Sequence, residues 1–259
     1  MRKDSYFCGM KNGHIQFIAN ASSTKKLLSD MVQSERAAGS ELAHLFALCT
    51  DYQSAGRGMG TNTWFSERGK NLLASLFFRT TLPATRQFLF NEYFALCTRK
   101  TLMQYLLEVQ IKWPNDIYVN GKKIAGILIE HTVVGNRLNG TVAGIGLNVN
   151  QEHFPDDIPH PTSLYLETGS LFEVPAVMEL LHQTLADHWE ELSETNATRL
   201  HDQYMEHMYQ RGVFSLYRIG EKEITAMIED VDPYGRLQLR DHDGRQHTCG
   251  FKEVRFLGA

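Results

Sequence analysis

Asn120-Gly121 stands between two apolar runs, Ile117-Tyr118-Val119 and Ile124 to Ile129. Both central positions of a type I′ turn need φ > 0, so this pairing is the strongest short-range signal for a β-hairpin. The second run is apolar almost throughout, as expected of a strand covered on both faces. Polar and cationic residues are nevertheless set into the ribbon: Lys112, Asn115, Asp116 and Lys123. Burying an ammonium is costly unless an anion meets it, so an oxyanion ligand is one resolution. The other is that Lys112 and Lys123 are edge-strand gatekeepers facing water. Spacing alone leaves both readings open.

The chain of 259 residues can bury roughly three quarters of its unfolded surface, enough for one large domain or one plus a small module. A net charge of −4 argues against a nucleic-acid binder. No apolar run reaches the ~18 residues of a membrane span. Met1-Arg2-Lys3-Asp4 is not followed by the apolar core and cleavage site of a secretory leader. Cys8, Cys49, Cys97 and Cys249 are scattered without a CxxC, as reduced thiols of a cytoplasmic protein would be. His182/His188 and His201/His207 are six apart and miss a common helix face, so no metal site is expected.

Taken in order, Ile15 to Ile18 reads as a strand and Ser22-Ser23-Thr24 as the cap of a helix. Leu27, Leu28, Met31 and Val32 give that helix an apolar face, and Gly39 stops it. Leu42 to Thr50 is a buried strand. Residues 51–70 lack periodicity, and so long a loop in a compact domain is usually functional or disordered. Arg57 lies between two glycines, where backbone N–H groups can face an anion, although a plain surface turn has the same composition. Asn71 to Arg79 forms the next strand, and Ala84 to Leu107 a long helix behind Pro83.

After the hairpin, His131 to Arg137 makes a second turn around Gly135-Asn136. Leu138 to Val149 returns as a strand holding Gly140, Gly144 and Gly146, and glycine inside a strand marks close approach of a ligand or another backbone. Residues 151–161 are a polar loop. Helices are expected over Pro175 to Leu192 and Thr198 to Tyr209. Beyond Gly212 the texture changes to short strands at Val213–Ile219, Glu223–Glu229, Arg236–Arg240 and Gln246–Cys249, the pattern of a small SH3-like barrel. The expected division is a catalytic domain over 1–210 and a module over 211–259.

Three blocks in this order carry a family resemblance. Tyr52-Gln53-Ser54-Ala55-Gly56-Arg57-Gly58 is followed by Trp64 and Gly69-Lys70-Asn71-Leu72. Lys112-Trp113-Pro114-Asn115-Asp116 leads into Lys123-Ile124-Ala125-Gly126-Ile127-Leu128-Ile129-Glu130, and Gly144-Ile145-Gly146-Leu147-Asn148-Val149-Asn150 closes the set. Together they resemble the biotin protein ligases of the biotin–[acetyl-CoA-carboxylase] ligase type, over about residues 15–165. The resemblance implies an α+β fold: a mixed, largely antiparallel central sheet with flanking helices, like a class II synthetase, plus the C-terminal SH3-like barrel. No helix-turn-helix is expected before Ser22, so a monofunctional form without a DNA-binding domain is implied.

The implied chemistry is ATP-dependent activation of biotin to biotinoyl-5′-AMP, then transfer to a lysine of a biotin carboxyl carrier protein or carboxylase biotinyl domain. By motif matching, Lys123, Arg57 and Asp116 are catalytic. Ser23, Thr24, Gln53, Gly56, Arg57, Gly58, Met59, Lys123 and Gly126 border biotin, with Ile127 and Leu147 walling its ring and chain. Arg57, Trp64, Lys112, Asn115, Asp116 and Asn148 face the nucleotide. ATP and Mg2+ are the implied cofactors. The implied enzyme is cytoplasmic, a monomer or weak homodimer, and has no nucleic-acid or membrane partner. Lipoate–protein ligase and a non-catalytic biotin-sensing module are the alternatives. Two departures stand out. Lys25 replaces an Asn of the Ser-Thr-Asn pattern, and Met59-Gly60 stands where relatives place a basic or long polar residue, often followed by a second Arg; Asn62 or Lys70 is then left to compensate, or Met59 instead covers the biotin ring.

Overall fold

The computed structural model describes residues 14–58, 60 and 62–257, together with the backbone of Ser5 and Tyr6. In chain order the first strands and helix are β1 (Ser5–Tyr6), β2 (Ile15–Ile18), α1 (Thr24–Ala37), β3 (Phe46–Thr50) and β4 (Leu72–Phe78). Helix α2 (Gln87–Leu102) precedes β5 (Gln110–Lys112), β6 (Asp116–Val119), β7 (Lys122–Val134) and β8 (Arg137–Leu147). Helices α3 (Leu164–Thr168), α4 (Val174–Asp187) and α5 (Ala197–Glu206) follow. The chain ends in β9 (Phe214–Ile219), β10 (Lys222–Val231), β11 (Leu237–Asp241), β12 (Gln246–Cys249) and β13 (Val254–Phe256). The result is the expected α+β class.

The first eight strands form one mixed sheet in the order β1-β2-β3-β4-β8-β7-β6-β5, and the last five form an antiparallel sheet, β12-β11-β10-β9-β13. Only β2 and β3 run parallel in the large sheet. The hairpin turn is as expected, with Asn120 at φ 51° and Gly121 at φ 72°. Helix α1 covers one face of the large sheet, with Leu28 and Val32 packed on Leu48, Phe77 and Val142. The other face carries the main core, where Phe90, Tyr93 and Phe94 of α2 and Leu181 and Leu185 of α4 meet Leu76, Phe78 and Ile145.

The register of the α1 face explains where space opens. Phe77 pairs with Val142 beneath the helix, but two residues along β4 and β8 the facing pair is Ser75 and Gly144. Further along, Gly126 of β7 pairs with Gly146 of β8. Side chains on one face of a strand recur every second residue. The face therefore steps from large to small side chains just past the N-terminus of α1.

Several expected boundaries shift. Strand β3 begins at Phe46, because Leu45 takes a left-handed φ of 62° and cannot extend the ladder. The long helix begins with a 3-10 turn at Ala84–Arg86 and stops at Leu102, short of Leu107. Residues His131 to Val134 continue β7, so the second turn is confined to Gly135 and Asn136. Helix α4 ends at Asp187, and the short α3 was not expected at all. No helix among the described residues is long and apolar enough to cross a membrane.

The C-terminal sheet docks on the Lys-Trp-Pro-Asn-Asp turn. Trp113 stacks on Phe251, with ring centroids 5.4 Å apart, and its Nε1 donates to the Gly235 carbonyl at 3.0 Å. Tyr204 donates to the Pro114 carbonyl at 2.8 Å. His201 of α5 bridges Glu92 of α2 and Asp230 of β10, at 2.8 Å to each.

Candidate active site

The step to small side chains leaves a cavity of about 760 Å³ on the α1 face of the large sheet. Its wall includes Ser23 and Thr24 at the start of α1, Ser75 of β4, and Gly144 and Gly146 of β8. Ser23 is the N-cap, accepting from the Lys26 N–H at 3.4 Å. Thr24 donates its backbone N–H to Gln53 Oε1 at 2.8 Å, and its hydroxyl lies 2.9 Å from that of Ser75. This is a buried, uncharged set of donors and acceptors, suited to a neutral polar group such as an amide or urea.

Lys123 of β7 and Asp116 of β6 supply charge to the same cavity. Lys123 Nζ donates to Asp116 Oδ2 at 2.6 Å and lies 5.7 Å from the centre of the Trp64 indole. Both side chains are about 30% exposed, so the ammonium is reachable from the cavity. Arg57 lines it too and makes no ion pair among the described residues. Trp64 lies across the glycine floor: a β-carbon at Gly126 would sit 2.9 Å from its ring, and one at Gly146 would sit 2.6 Å from its Nε1. Only glycine at these positions lets the indole lie so close.

Two buried polar atoms in this wall, Trp64 Nε1 and Asn148 Oδ1, have no partner among the described residues. Asn148 is 3% exposed, and its amide nitrogen donates to the Thr162 carbonyl at 2.8 Å, which leaves the oxygen free to accept. An unpaired buried acceptor costs on the order of 1–3 kcal/mol, so a ligand N–H is its natural complement.

The structure thus gathers Ser23, Thr24, Gln53, Arg57, Gly58, Trp64, Asn115, Asp116, Lys123, Gly126, Ile127 and Asn148 around one space. Lys112 lies elsewhere. Its ammonium donates to the Tyr118 hydroxyl at 3.0 Å and faces the rings of Tyr118, at 4.6 Å, and Phe256, at 5.0 Å. Gly56 is not part of the wall. It lies under the loop's return, where a β-carbon would meet the Trp64 carbonyl at 2.7 Å. Leu147 is buried in the core and is not part of the wall either. Met59 lies outside the described residues.

Comparison with known proteins agrees with this geometry. Residues 21–148 match the model of the biotin/lipoate A/B protein ligase family. The chain carries a biotin/lipoate ligase family domain. It is 31% identical over 166 residues to the bifunctional ligase/repressor BirA of Bacillus spizizenii, covering 59% of this chain and 50% of that protein. It is 30% identical over 142 residues to the biotin–[acetyl-CoA-carboxylase] ligase of Paracoccus denitrificans, covering 52% of this chain and 58% of the relative. The match thus spans only about half the length of these curated relatives. The biotin protein ligase of Aquifex aeolicus, solved with biotin and ATP, superposes with a TM-score of 0.75 at 22% identity, over 95% of this chain and all of that one.

Two contributors to the cavity escaped the reading of motifs. Ser75 sits in the run Leu72 to Phe78, which reads as a plain core strand; the one hydroxyl among apolar residues was the available signal. The loop at 154–161 supplies Phe154, Asp157 and Pro161 to the wall. It is tied to the hairpin by the Lys123 N–H donating to the His160 carbonyl at 2.7 Å and Thr162 N–H to the Lys123 carbonyl at 2.9 Å. No local pattern announces that pairing. Lys25 lines the cavity as well, with its ammonium held by Glu130.

Proposed function

We propose that this chain joins biotin to a protein lysine in two ATP-dependent steps. The observation that carries the reading is one cavity holding both an uncharged buried cluster, Thr24, Gln53 and Ser75, and a cationic set, Lys123 and Arg57. The first suits a ureido ring, and the second suits a carboxylate meeting a triphosphate. Two anions approach one another only if fixed cations offset their repulsion. A carboxylate oxygen of biotin attacks the α-phosphorus, the bond to the bridging oxygen breaks, and pyrophosphate leaves. The acceptor amine then adds to the acyl carbon of biotinoyl-5′-AMP, loses a proton and expels AMP.

In this reading Lys123 lies against the carboxylate and acyl phosphate, and Asp116 holds its ammonium in place. Arg57 binds phosphate oxygens with its planar fork. Asn148 offers its free oxygen to an N–H of the adenine, and Trp64 closes over the site. Gly58, Asn115 and Gly126 line the passage between the two substrates. Asp116 and Asp157 both line the cavity and would hold a magnesium ion accompanying the triphosphate, since such ions need only one or two protein carboxylates; the ion would supply charge neutralisation. The acceptor is a biotin carboxyl carrier protein or carboxylase biotinyl domain, and the place is the cytoplasm. Residues 1–210 form the catalytic domain and 211–259 a supporting module.

Lipoate ligation is the competing reading, favoured by the family's breadth. Buried hydroxyl and amide groups left facing a dithiolane ring would go unpaired, which weighs for biotin. A sensor that merely binds biotin has no use for Lys123 and Arg57 together. The deciding experiment incubates the purified chain with ATP and either biotin or lipoate and follows pyrophosphate release. Release with biotin, at least tenfold above lipoate, is expected. Equal rates, or none, would overturn the assignment.

A further inference from the structure

The loop Gly56–Gly60 has a single basic residue of its own, Arg57, because Met59 and Gly60 stand where the resemblance leads one to expect further cations. Lys70, the neighbour in sequence best placed to compensate, is engaged by Glu152 at 3.2 Å. A different lysine fills the place. A β-carbon built on Gly60 would lie 2.7 Å from Nζ of Lys252 and 2.9 Å from its Cε. The side chain of Lys252, from the turn between β12 and β13, therefore lies directly over the α-carbon of Gly60. A larger residue at 60 would push it away.

That lysine is held in place by its surroundings. Phe251, just before it, stacks on Trp113 of the Lys-Trp-Pro-Asn-Asp turn. Glu253, just after it, accepts the Gly250 N–H at 2.7 Å, which closes the turn. Lys252 itself takes φ 74°, a conformation that favours glycine and disfavours residues with a β-carbon. The turn keeps a lysine where glycine would be easier for the backbone. Its ammonium is exposed and makes no ion pair among the described residues. Arg57 likewise makes no ion pair among the described residues, so the loop's own cation and Lys252 are both left with their charge unmatched there.

We propose that Lys252 is a nucleotide-binding residue, reaching from the C-terminal module to the phosphates held by the Gly56–Gly60 loop. It supplies the second positive charge that the loop's own sequence lacks. The inference rests on the adenylate-forming reading above and adds to it a reason for the C-terminal module to be docked against the site.

Glycine is the informative substitution. If Lys252 served only to shape the turn, Lys252→Gly would be neutral or stabilising, since glycine takes φ 74° freely. If it binds phosphate, the same variant keeps its melting temperature and raises KM for ATP by about tenfold, the typical weight of one charge-assisted hydrogen bond. The assay is biotin-dependent pyrophosphate exchange at varied ATP, with Lys252→Arg expected to retain affinity within about threefold. Adding Met59→Arg to Lys252→Gly should restore most of the lost affinity by returning a cation to the loop. KM for biotin should move little. An active wild type with unchanged KM for ATP in Lys252→Gly sinks the role of Lys252 and leaves the functional reading standing. A wild type that makes no biotin-dependent exchange overturns both.

Discussion

Lys112 and Lys123 stand on neighbouring strands of one hairpin ribbon, yet they live in opposite surroundings. Lys123 faces the cavity and has a carboxylate at 2.6 Å. Lys112 faces the docked C-terminal module, pressed on the rings of Tyr118 and Phe256, with no ion pair among the described residues. Burial pushes the Lys112 ammonium down to about 8. The difference teaches that a cation in an apolar ribbon has two resolutions. One is an anionic ligand, and the other is an aromatic lining supplied by a second sheet, where cation–π attraction offsets part of the desolvation.

The largest expected contrast comes from removing each ammonium. Lys123→Ala should lower the rate of biotinoyl-adenylate formation by about 10²–10³-fold, the usual effect of losing one fixed donor to developing charge. Its stability should fall by less than ~1 kcal/mol, because the pair with Asp116 is partly solvated. Lys112→Met should leave the rate within about threefold and raise the melting temperature at pH 7. A lysine whose folded pKa lies below its unfolded value destabilises while it is charged, and that penalty fades only as pH climbs from about 8 towards 10.5. Pyrophosphate release and thermal melts on the two variants would separate the sites. Equal loss of activity would erase the distinction between them.

The module's junction has its own titrating group. The hydrogen bond that His201 donates to buried Glu92 raises its pKa to about 9, with Asp230 of the module adding to it. A histidine raised in the folded state contributes stability that is fully present below its unfolded value near 6.5 and is lost as pH rises through about 9. The contribution is on the order of 1–2 kcal/mol, reduced by the solvent around Asp230. Melting of wild type and His201→Gln should therefore differ most at pH 6 and converge by pH 9.5. A gap that is constant with pH would mean that the bridge is not charged. Adenylate formation should show no matching change, since Glu92, His201 and Asp230 do not line the cavity.

A gentler test concerns the loop over the cavity. Its glycines make it costly to order, about 1–2 kcal/mol per residue, and bound phosphate must offset that cost. Biotin with ATP should slow proteolysis within residues 56–69 severalfold while leaving cleavage in the C-terminal module unchanged. Equal protection of both regions would point to global stabilisation by ligand.

Much of this architecture was legible from short-range chemistry. The Asn120-Gly121 turn, the Ser23 cap and the strand at Leu72 to Phe78 follow from φ preferences, hydroxyl capping and apolar patterning, all of which act within a few residues. The roles that stayed hidden depend on contacts between distant segments. Ser75 meets Thr24 across 51 residues of chain, and the ring around Lys112 includes Phe256. Lys252 reaches Gly60 from the far end of the sequence. Motif matching located Lys112 correctly in sequence and could not say which way it faced. Helix ends failed for a local reason, since Arg99 and Lys100 favour a stop near Leu102 and the apolar residues that follow pack as turns.

The smallest effect belongs to the departure at Lys25. Its ammonium pairs with Glu130, whose side chain is 61% exposed. Pairs this open contribute roughly 0–1 kcal/mol, because water screens the attraction and two long side chains lose freedom. Lys25 also lines the cavity beside Thr24, and its stem lies near the Gly144 floor, where a β-carbon would be 3.8 Å away. If the stem serves only as a wall, Lys25→Asn should shift the melting temperature by a degree or two and KM for biotin by less than threefold. Glu130→Gln, which breaks the ion pair without touching the wall, should do the same to stability and nothing to KM. A tenfold change in biotin KM for Lys25→Asn, with Glu130→Gln unaffected, would instead place the ammonium's stem in contact with the vitamin. The cavity would then hold a second lysine that contacts the ligand, supplied by α1, and the contrast between Lys123 and Lys112 would become one of three cations rather than two.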